Sequence, residues 1–310
     1  MPEPLRIGTR GSALALVQAE LVRALLADAL ATGPRRALER VVIKTTGDRI
    51  TDRPLAAIGG KALFTKEIDQ ALLAGEVDCA VHSMKDMESV LAPGLAIGAV
   101  LARSDPRDCL VGAGGLSLAH LPAGARVGTS AVRRRAQLLA RRPDLEIVPL
   151  RGNVDTRLKK RELGEVEALV LAKAGLDRLG RSGVISHILE PSEMLPAAAQ
   201  GIIAVVVRAA DPGTAALIAR LNNPPAAHAA AAERAFLAVL GGDCGTPIAA
   251  HAAITGDLLV LEGALFSLDG TEAVRGRIDG APGAGAELGA ALADRLKAQA
   301  SPALRAYLRA

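Results

Sequence analysis

Leu5-Arg6-Ile7-Gly8-Thr9-Arg10-Gly11-Ser12 reads as a short apolar strand that turns through small residues into a helix predicted over about Ser12 to Ala27. The helix carries apolar residues at Leu14, Leu16, Val17, Leu21, Leu25 and Leu26. Strand, tight turn, helix is the repeating unit of α/β proteins, and the unit recurs. Val41 to Thr45 and Asp78 to His82 read as strands with a helix from about Phe64 to Ala74 between them. A second block, from about Asp108 to Leu195, gives strands at Cys109–Val111, Ala125–Gly128, Glu146–Leu150 and Ala168–Leu171. Each of the last three leads towards a helix, an alternation that implies parallel-rich sheets covered by helices. Ile202 to Arg208 reads as one more strand, returning to the first domain. The tail differs: Leu258–Leu268 and Thr271–Ile278 form a hairpin pattern around Asp269-Gly270, followed by a helix from about Glu287 to Ala298. The fold class is therefore α/β, with two parallel-rich mixed sheets and a small C-terminal α+β domain. The expected boundaries are 1–102 with 200–219, then 103–199, then 220–310.

A chain of 310 residues has room for two or three well-filled cores. Half of it is apolar and 23% is charged, ordinary for a globular protein. The longest purely aliphatic run, Ile202 to Val207, is far too short to span a bilayer. The first residues show no basic stretch leading into an apolar one, so no secretory signal is expected. Three scattered cysteines argue against a disulfide framework and a structural zinc site, and no second His or Cys stands at ligand spacing. The expectation is a cytoplasmic protein without a metal. The net charge is only +4, but 29 of the 37 basic residues are Arg and 8 are Lys. Guanidinium forks suit carboxylates and phosphates. Three Phe, one Tyr and no Trp leave few platforms for stacking bases. Small or oligomeric anions are the expected partners, rather than nucleic acid, and no coiled-coil pattern argues against a monomer.

Chemistry concentrates at the turns. An Arg accompanies small or hydroxyl residues in Thr9-Arg10-Gly11-Ser12, in Gly128-Thr129-Ser130 with Arg133-Arg134-Arg135, in Arg151-Gly152-Asn153 with Arg157, and in Lys173-Ala174-Gly175 with Arg178. Ligands of parallel sheets gather at strand carboxyl ends, where helix N-termini offer free N–H groups. Ser12, Thr129 and Ser130 can cap those helices or donate a hydroxyl. One such turn is weak; four together point to a ligand with several carboxylates or phosphates. A fifth strand end, His82-Ser83-Met84-Lys85-Asp86, brings a carboxylate to the same cleft as an acid/base candidate, with His82 read as a strand-end histidine satisfied by hydrogen bonds. Cys244 sits in Gly241-Gly242-Asp243-Cys244-Gly245-Thr246-Pro247, where glycines let something large approach the sulfur. On its own, that loop fits a nucleophile or an attachment point.

Taken together, the chain resembles the hydroxymethylbilane synthases, also called porphobilinogen deaminases. The resemblance runs from Leu5-Arg6-Ile7-Gly8-Thr9-Arg10-Gly11-Ser12 through Gly59-Gly60-Lys61-Ala62-Leu63-Phe64, His82-Ser83-Met84-Lys85-Asp86, Asp105-Pro106-Arg107-Asp108, Gly128-Thr129-Ser130, Leu150-Arg151-Gly152-Asn153 and Leu195-Pro196 to the cysteine loop. It implies two periplasmic-binding-protein-like lobes with an added cofactor-bearing domain. It also implies an activity: four porphobilinogen molecules are joined head to tail, ammonia is released, and a linear tetrapyrrole is freed by hydrolysis. The implied cofactor is a dipyrromethane bound through a thioether to Cys244. Asp86 matches the family's catalytic acid/base and also contacts the cofactor. The resemblance places Lys85, Ser130, Arg133 and Arg134 on the cofactor, and Arg10, Ser12, Lys61, Arg151, Arg157, Arg178 and Gln200 on the substrate. Three positions depart from the family: Met87-Glu88 follows Asp86 where Val-Pro is common, Ala199-Gln200-Gly201 replaces Gly-Gln-Gly, and Gly245-Thr246 replaces Gln-Val. Two other classes compete. A non-catalytic bilobed anion binder has no use for Cys244 or Lys85-Asp86. A cysteine hydrolase would need a base among His82, His120, His187, His228 and His251.

Overall fold

The computed structural model describes residues 3–31, 36–49, 64–242 and 245–308. They form two compact units: one runs up to Ser104 and adds Ile202–Ala227, the other takes Asp105–Gly201 and the residues from His228 onward. The first holds β1 (Leu5–Thr9), β2 (Leu38–Val42), β3 (Cys79–Ser83) and β4 (Leu95–Val100). The second holds β5 (Asp108–Val111), β6 (Arg126–Gly128), β7 (Glu146–Val148), β8 (Ala168–Ala172) and β9 (His187–Leu189). β10 (Ile203–Arg208) then rejoins the first sheet. The sheet orders are β2-β1-β3-β10-β4 and β7-β6-β8-β5-β9.

The two sheets share one pattern. β1 pairs in parallel with β2 and β3, and β6 with β7 and β8. The fourth strand in each order, β10 or β5, runs antiparallel to both neighbours. Each is the first strand laid down after the chain passes from one unit to the other, so no crossover helix turns it parallel. The sheets are mixed and parallel-rich, as expected.

Local boundaries follow from pairing. β2 begins at Leu38 rather than at Val41, because all five residues of β1 have partners from Leu5–Leu38 to Thr9–Val42. Glu39 and Arg40 face solvent on this edge strand, which hides it from an apolar-run reading. The helix Ala13–Leu30 buries Ala15, Gln18, Ala19, Val22 and Leu26 against the sheet. Val17, Leu21 and Leu25 on its other face are 40%, 44% and 37% exposed, while Val22 and Leu26 stand with the small Ala15 and Ala19 on the close face. Leu5, Ile7, Cys79, Val81, Ile203 and Val205 complete that core.

β11 (Ile248–Thr255), β12 (Leu258–Phe266) and β13 (Ala273–Gly280) form an antiparallel sheet. Helices Pro224–Val239 and Gly285–Gln299 contribute Phe236, Leu292 and Leu296 to the core beneath it. β11 and the first of these helices are Ala-rich and carry little period, so packing rather than propensity decides them. The hairpin turn at Gly270 has φ +75° and lies on the backbone of the helix Val132–Arg141; a Cβ there would sit 2.5 Å from Ala140 N. Gly289 is equally confined, since a Cβ would lie 3.0 Å from both Phe236 N and Ala235 Cβ and nearer still to Ala232 O. Gly289→Ala is therefore expected to destabilise by about 1–3 kcal/mol. Urea unfolding measures this, and an unchanged midpoint would show that the two helices separate without loss.

Candidate active site

In the first unit the strand ends gather a small polar recess. Ser12 caps the helix Ala13–Leu30, its hydroxyl accepting from Ala15 N at 3.3 Å. Arg10 stacks its guanidinium 4.2 Å from the Phe64 ring centre and forks onto Asp48, with Nη2–Oδ1 at 2.5 Å and Nε–Oδ2 at 3.2 Å. Thr45 donates its hydroxyl to the same carboxylate at 2.7 Å. Burial pushes the Asp48 pKa up, but the bonds from Arg10 and Thr45 outweigh this and hold it below the ordinary carboxylate range. Arg10 thus already grips a carboxylate.

β3 ends at Ser83, whose hydroxyl is bonded to the amide of Gln18 at 2.8 Å. A single 3₁₀ turn, Met84–Asp86, follows and sets Asp86 in place. Met84 N–H donates to Ile202 O at 3.0 Å, and Met87 N–H donates to Met84 O at 3.1 Å. Met87 is already extended (φ −86°, ψ 150°), the conformation a following proline would require, so Met87-Glu88 leaves the turn intact. Arg10, Ser12, Phe64, His82, Ser83 and Asp86 line one recess of about 50 Å³. Lys85 is half-buried beside it in sequence. His82 departs from its sequence reading: its Nε2 is buried without a hydrogen-bond partner among the described residues.

The second unit gathers the other Arg residues around its own strand ends. Ser130 does not cap the helix Val132–Arg141; its hydroxyl donates to Leu150 O, and the helix begins without a side-chain cap. Arg133 and Arg134 occupy the first turn of that helix, where cations oppose the helix dipole. They turn inward and are buried, rather than forming a solvated face. Both reach Asp108, which is fully buried: Arg133 Nη2 donates to Oδ2 at 2.7 Å and Arg134 Nη2 to Oδ1 at 2.8 Å. Further donors of the pair satisfy Leu195 O at 2.6 Å and Val170 O at 2.9 Å. Gln200 Nε2 donates to Asp108 Oδ1 at 2.9 Å and to Pro106 O at 2.7 Å. Burial alone would push the Asp108 pKa up; the two guanidiniums outweigh it and hold the carboxyl far below the ordinary range. Two cations share one buried anion, leaving a surplus positive charge.

Arg151 follows β7, Arg157 lies in the helix Val154–Glu162, and Arg178 ends the helix Lys173–Arg178 that follows β8. Asn153 caps the helix Val154–Glu162 by accepting from Thr156 N at 2.9 Å, and Arg157 Nε donates to Gly152 O at 2.9 Å. Arg178 Nη2 donates to Gly201 O at 2.7 Å. Arg151 is half-buried. The segment Ala199-Gln200-Gly201 keeps the shape of a glycine at its first position: Ala199 has φ +58°. The buried Glu233 carboxylate accepts its N–H and that of Ala252, the latter at 2.5 Å. His251 Nδ1 lies 3.7 Å from the same carboxylate. Lys61 and Cys244 lie outside the described residues. Sequence reasoning missed Asp48, Asp108 and Glu233; for Asp108 the signal was a carboxylate opening the apolar strand Cys109-Leu110-Val111.

Residues 5–216 match the family model described as porphobilinogen deaminase, dipyrromethane cofactor binding domain, and residues 227–298 match that of the porphobilinogen deaminase C-terminal domain. A porphobilinogen deaminase of Paracoccus denitrificans is 52% identical over 97% of this chain and 96% of its own length. One of Roseiflexus castenholzii is 51% identical, with 96% of each chain covered. Among solved structures, the second substrate-binding domain of a putative amino acid ABC transporter from Streptococcus pneumoniae is 13% identical, over 70% of this chain and 90% of its own, with a TM-score of 0.45.

Removing the shared counter-ion isolates its weight. Asp108→Ala leaves two buried guanidiniums without a carboxylate and is expected to cost about 3–5 kcal/mol in denaturant unfolding. A carboxyl held below its unfolded pKa of about 4 stabilises the fold above that pH, and the contribution drains away as pH falls further. Wild-type stability should therefore drop on acidification below about pH 4, with a shallower slope in Asp108→Asn. Equal acid slopes would show that Asp108 is not the group responsible.

Proposed function

The chain belongs to the porphobilinogen deaminase family, and on that premise we propose how its residues divide the work. It is a transferase that joins four porphobilinogen molecules head to tail and releases linear hydroxymethylbilane, a step of tetrapyrrole biosynthesis. Its cofactor is a dipyrromethane. Each pyrrole of substrate and cofactor carries two carboxylates, so a binding surface rich in forked cations suits both. The buried pair Arg133–Arg134, holding a surplus positive charge around Asp108, has the donor chemistry such a cofactor needs. Cys244 would anchor it by a thioether, with Lys85, Ser130, Arg133, Arg134 and Asp86 around it. When bound, the dipyrromethane supplies a free pyrrole end to which substrate units are added.

The observation that carries the assignment is the shared recess of Asp86, Arg10 and Ser12. In the proposed scheme Arg10 and Ser12 receive a substrate carboxylate, an exchange supported by the grip of Arg10 on Asp48. Arg151, Arg157, Arg178, Lys61 and Gln200 hold further acetate and propionate groups. Asp86 then acts on protons: it serves the departing amino nitrogen of porphobilinogen, balances the positive charge left on the substrate's pyrrole nitrogen, and accepts the ring proton lost in coupling. The 3₁₀ turn fixes the Asp86 backbone through Met84 N–H to Ile202 O and Met87 N–H to Met84 O. A cytoplasmic monomer acting on a small molecule, without nucleic acid or membrane, completes the proposal. It is supported by the scattered cysteines, and no helix among the described residues is long and apolar enough to cross a membrane.

Intact mass and turnover test the roles separately. Asp86→Asn should lose about 10²–10⁴-fold in turnover while keeping the two-pyrrole mass surplus. Substantial retained activity would remove Asp86 from the chemistry. Cys244→Ser should lack the surplus, and a variant that still carries it would refute the anchor.

A further inference from the structure

Among the recess-lining groups that this scheme leaves out, His82 stands apart. His82 lies one residue before the end of β3, the strand that leads into Asp86, and it lines the recess together with Arg10, Ser12, Phe64 and Asp86. It is 5% exposed, and its Nε2 has no hydrogen-bond partner among the described residues. Leaving a buried nitrogen unsatisfied is costly, and folded proteins keep few such atoms. Burial, and then the nearby Arg10 cation, pull its pKa down to about 4. The ring is therefore neutral at ordinary pH and carries one N–H.

The chemistry of the recess selects the partner for that N–H. Arg10 and the capping hydroxyl of Ser12 build an anion-receiving corner, and Arg10 already holds the Asp48 carboxylate there. A neutral donor beside a cationic fork adds direction to carboxylate binding without repelling the guanidinium. An aminomethyl group, being cationic, would be disfavoured next to Arg10.

We propose that His82 donates a hydrogen bond from Nε2 to the porphobilinogen carboxylate received by Arg10 and Ser12, and thereby sets the pyrrole against Asp86. The proposal rests on the reading of Arg10 and Ser12 as a substrate-carboxylate subsite. His82 is on this account a binding and positioning residue, and the proton chemistry stays with Asp86.

His82→Leu should raise KM for porphobilinogen by about 10-fold or more and also lower kcat by a few-fold, the pattern of a group that both binds the substrate and orients it. His82→Gln, which returns an amide N–H near the Nε2 position, should recover most of the loss. Both should keep the dipyrromethane mass. An unchanged KM in His82→Leu, or a Gln variant no better than the Leu one, would overturn the proposal. Arg10→Leu separates the two readings. A normal KM there removes the subsite itself, whereas a raised KM there with a normal one in His82→Leu removes only His82. Should the variants fail to fold, the wild-type enzyme still decides. Its His82 Nε2 resonance must shift on adding a pyrrole that carries acetate and propionate but no aminomethyl group, and an unmoved signal refutes the contact.

Discussion

The carboxylate of Asp108, shared between Arg133 and Arg134 in a site closed to water, ties β5 and β8 to the helix Val132–Arg141. Taking three charged groups out of solvent is expensive, and a well-packed apolar replacement of such a cluster is often as stable. Stability alone does not explain it. What the arrangement achieves is two guanidiniums fixed in one geometry, with one further N–H of each given to Leu195 O or Val170 O. Two cations against one anion leave a positive surplus that water cannot screen. Donors held in this way need no reorganisation to meet an anion.

The same constraint reaches the segment that links the units. Gln200 stands on Asp108 through one N–H and on Pro106 O through the other. For its side chain to arrive there, the preceding residue takes a left-handed conformation, and in this chain that residue is Ala199 at φ +58°. The strain is on the order of 1 kcal/mol. Glu233 holds it by accepting the Ala199 N–H, and Ala252 N–H fixes the other carboxylate oxygen to β11. The C-terminal sheet therefore positions the residue that positions Asp108. A glycine would sit there without strain, so the alanine shows how firmly its surroundings determine the backbone.

How much of this the sequence discloses depends on range. Strand–turn–helix units are local, so β1, β3, β8 and the helix after β1 could be read from period and turn chemistry. Arg10, Ser12 and Asp86 were legible for the same reason, since each stands at a strand end where such folds collect ligands. Arg133 and Arg134 were legible as anion binders but not as buried ones, because their counter-ion is 25 and 26 residues away. A helix bearing Arg133-Arg134-Arg135 looks the same in sequence whether its arginines face water or a carboxylate. The orphan Nε2 of His82 is likewise a property of what surrounds it. β4 and β11, made largely of small residues, carry too little periodicity to announce themselves.

In the first unit the problem is the opposite one: a cation kept ready in partial contact with solvent. The Arg10 and Asp48 side chains are 21% and 28% exposed, so their pair contributes on the order of 1 kcal/mol or less. It is enough to order the guanidinium over Phe64, and too little to hold it against a ligand that binds through several carboxylates at once. A single carboxylate arriving at Arg10 exchanges one ion pair for another with little net gain. A pyrrole bearing two carboxylates, or a chain of such pyrroles, makes the same exchange and adds contacts elsewhere. The Arg10–Asp48 pair is thus an exchangeable grip on a carboxylate, whereas the pairs at Asp108 are buried and firm.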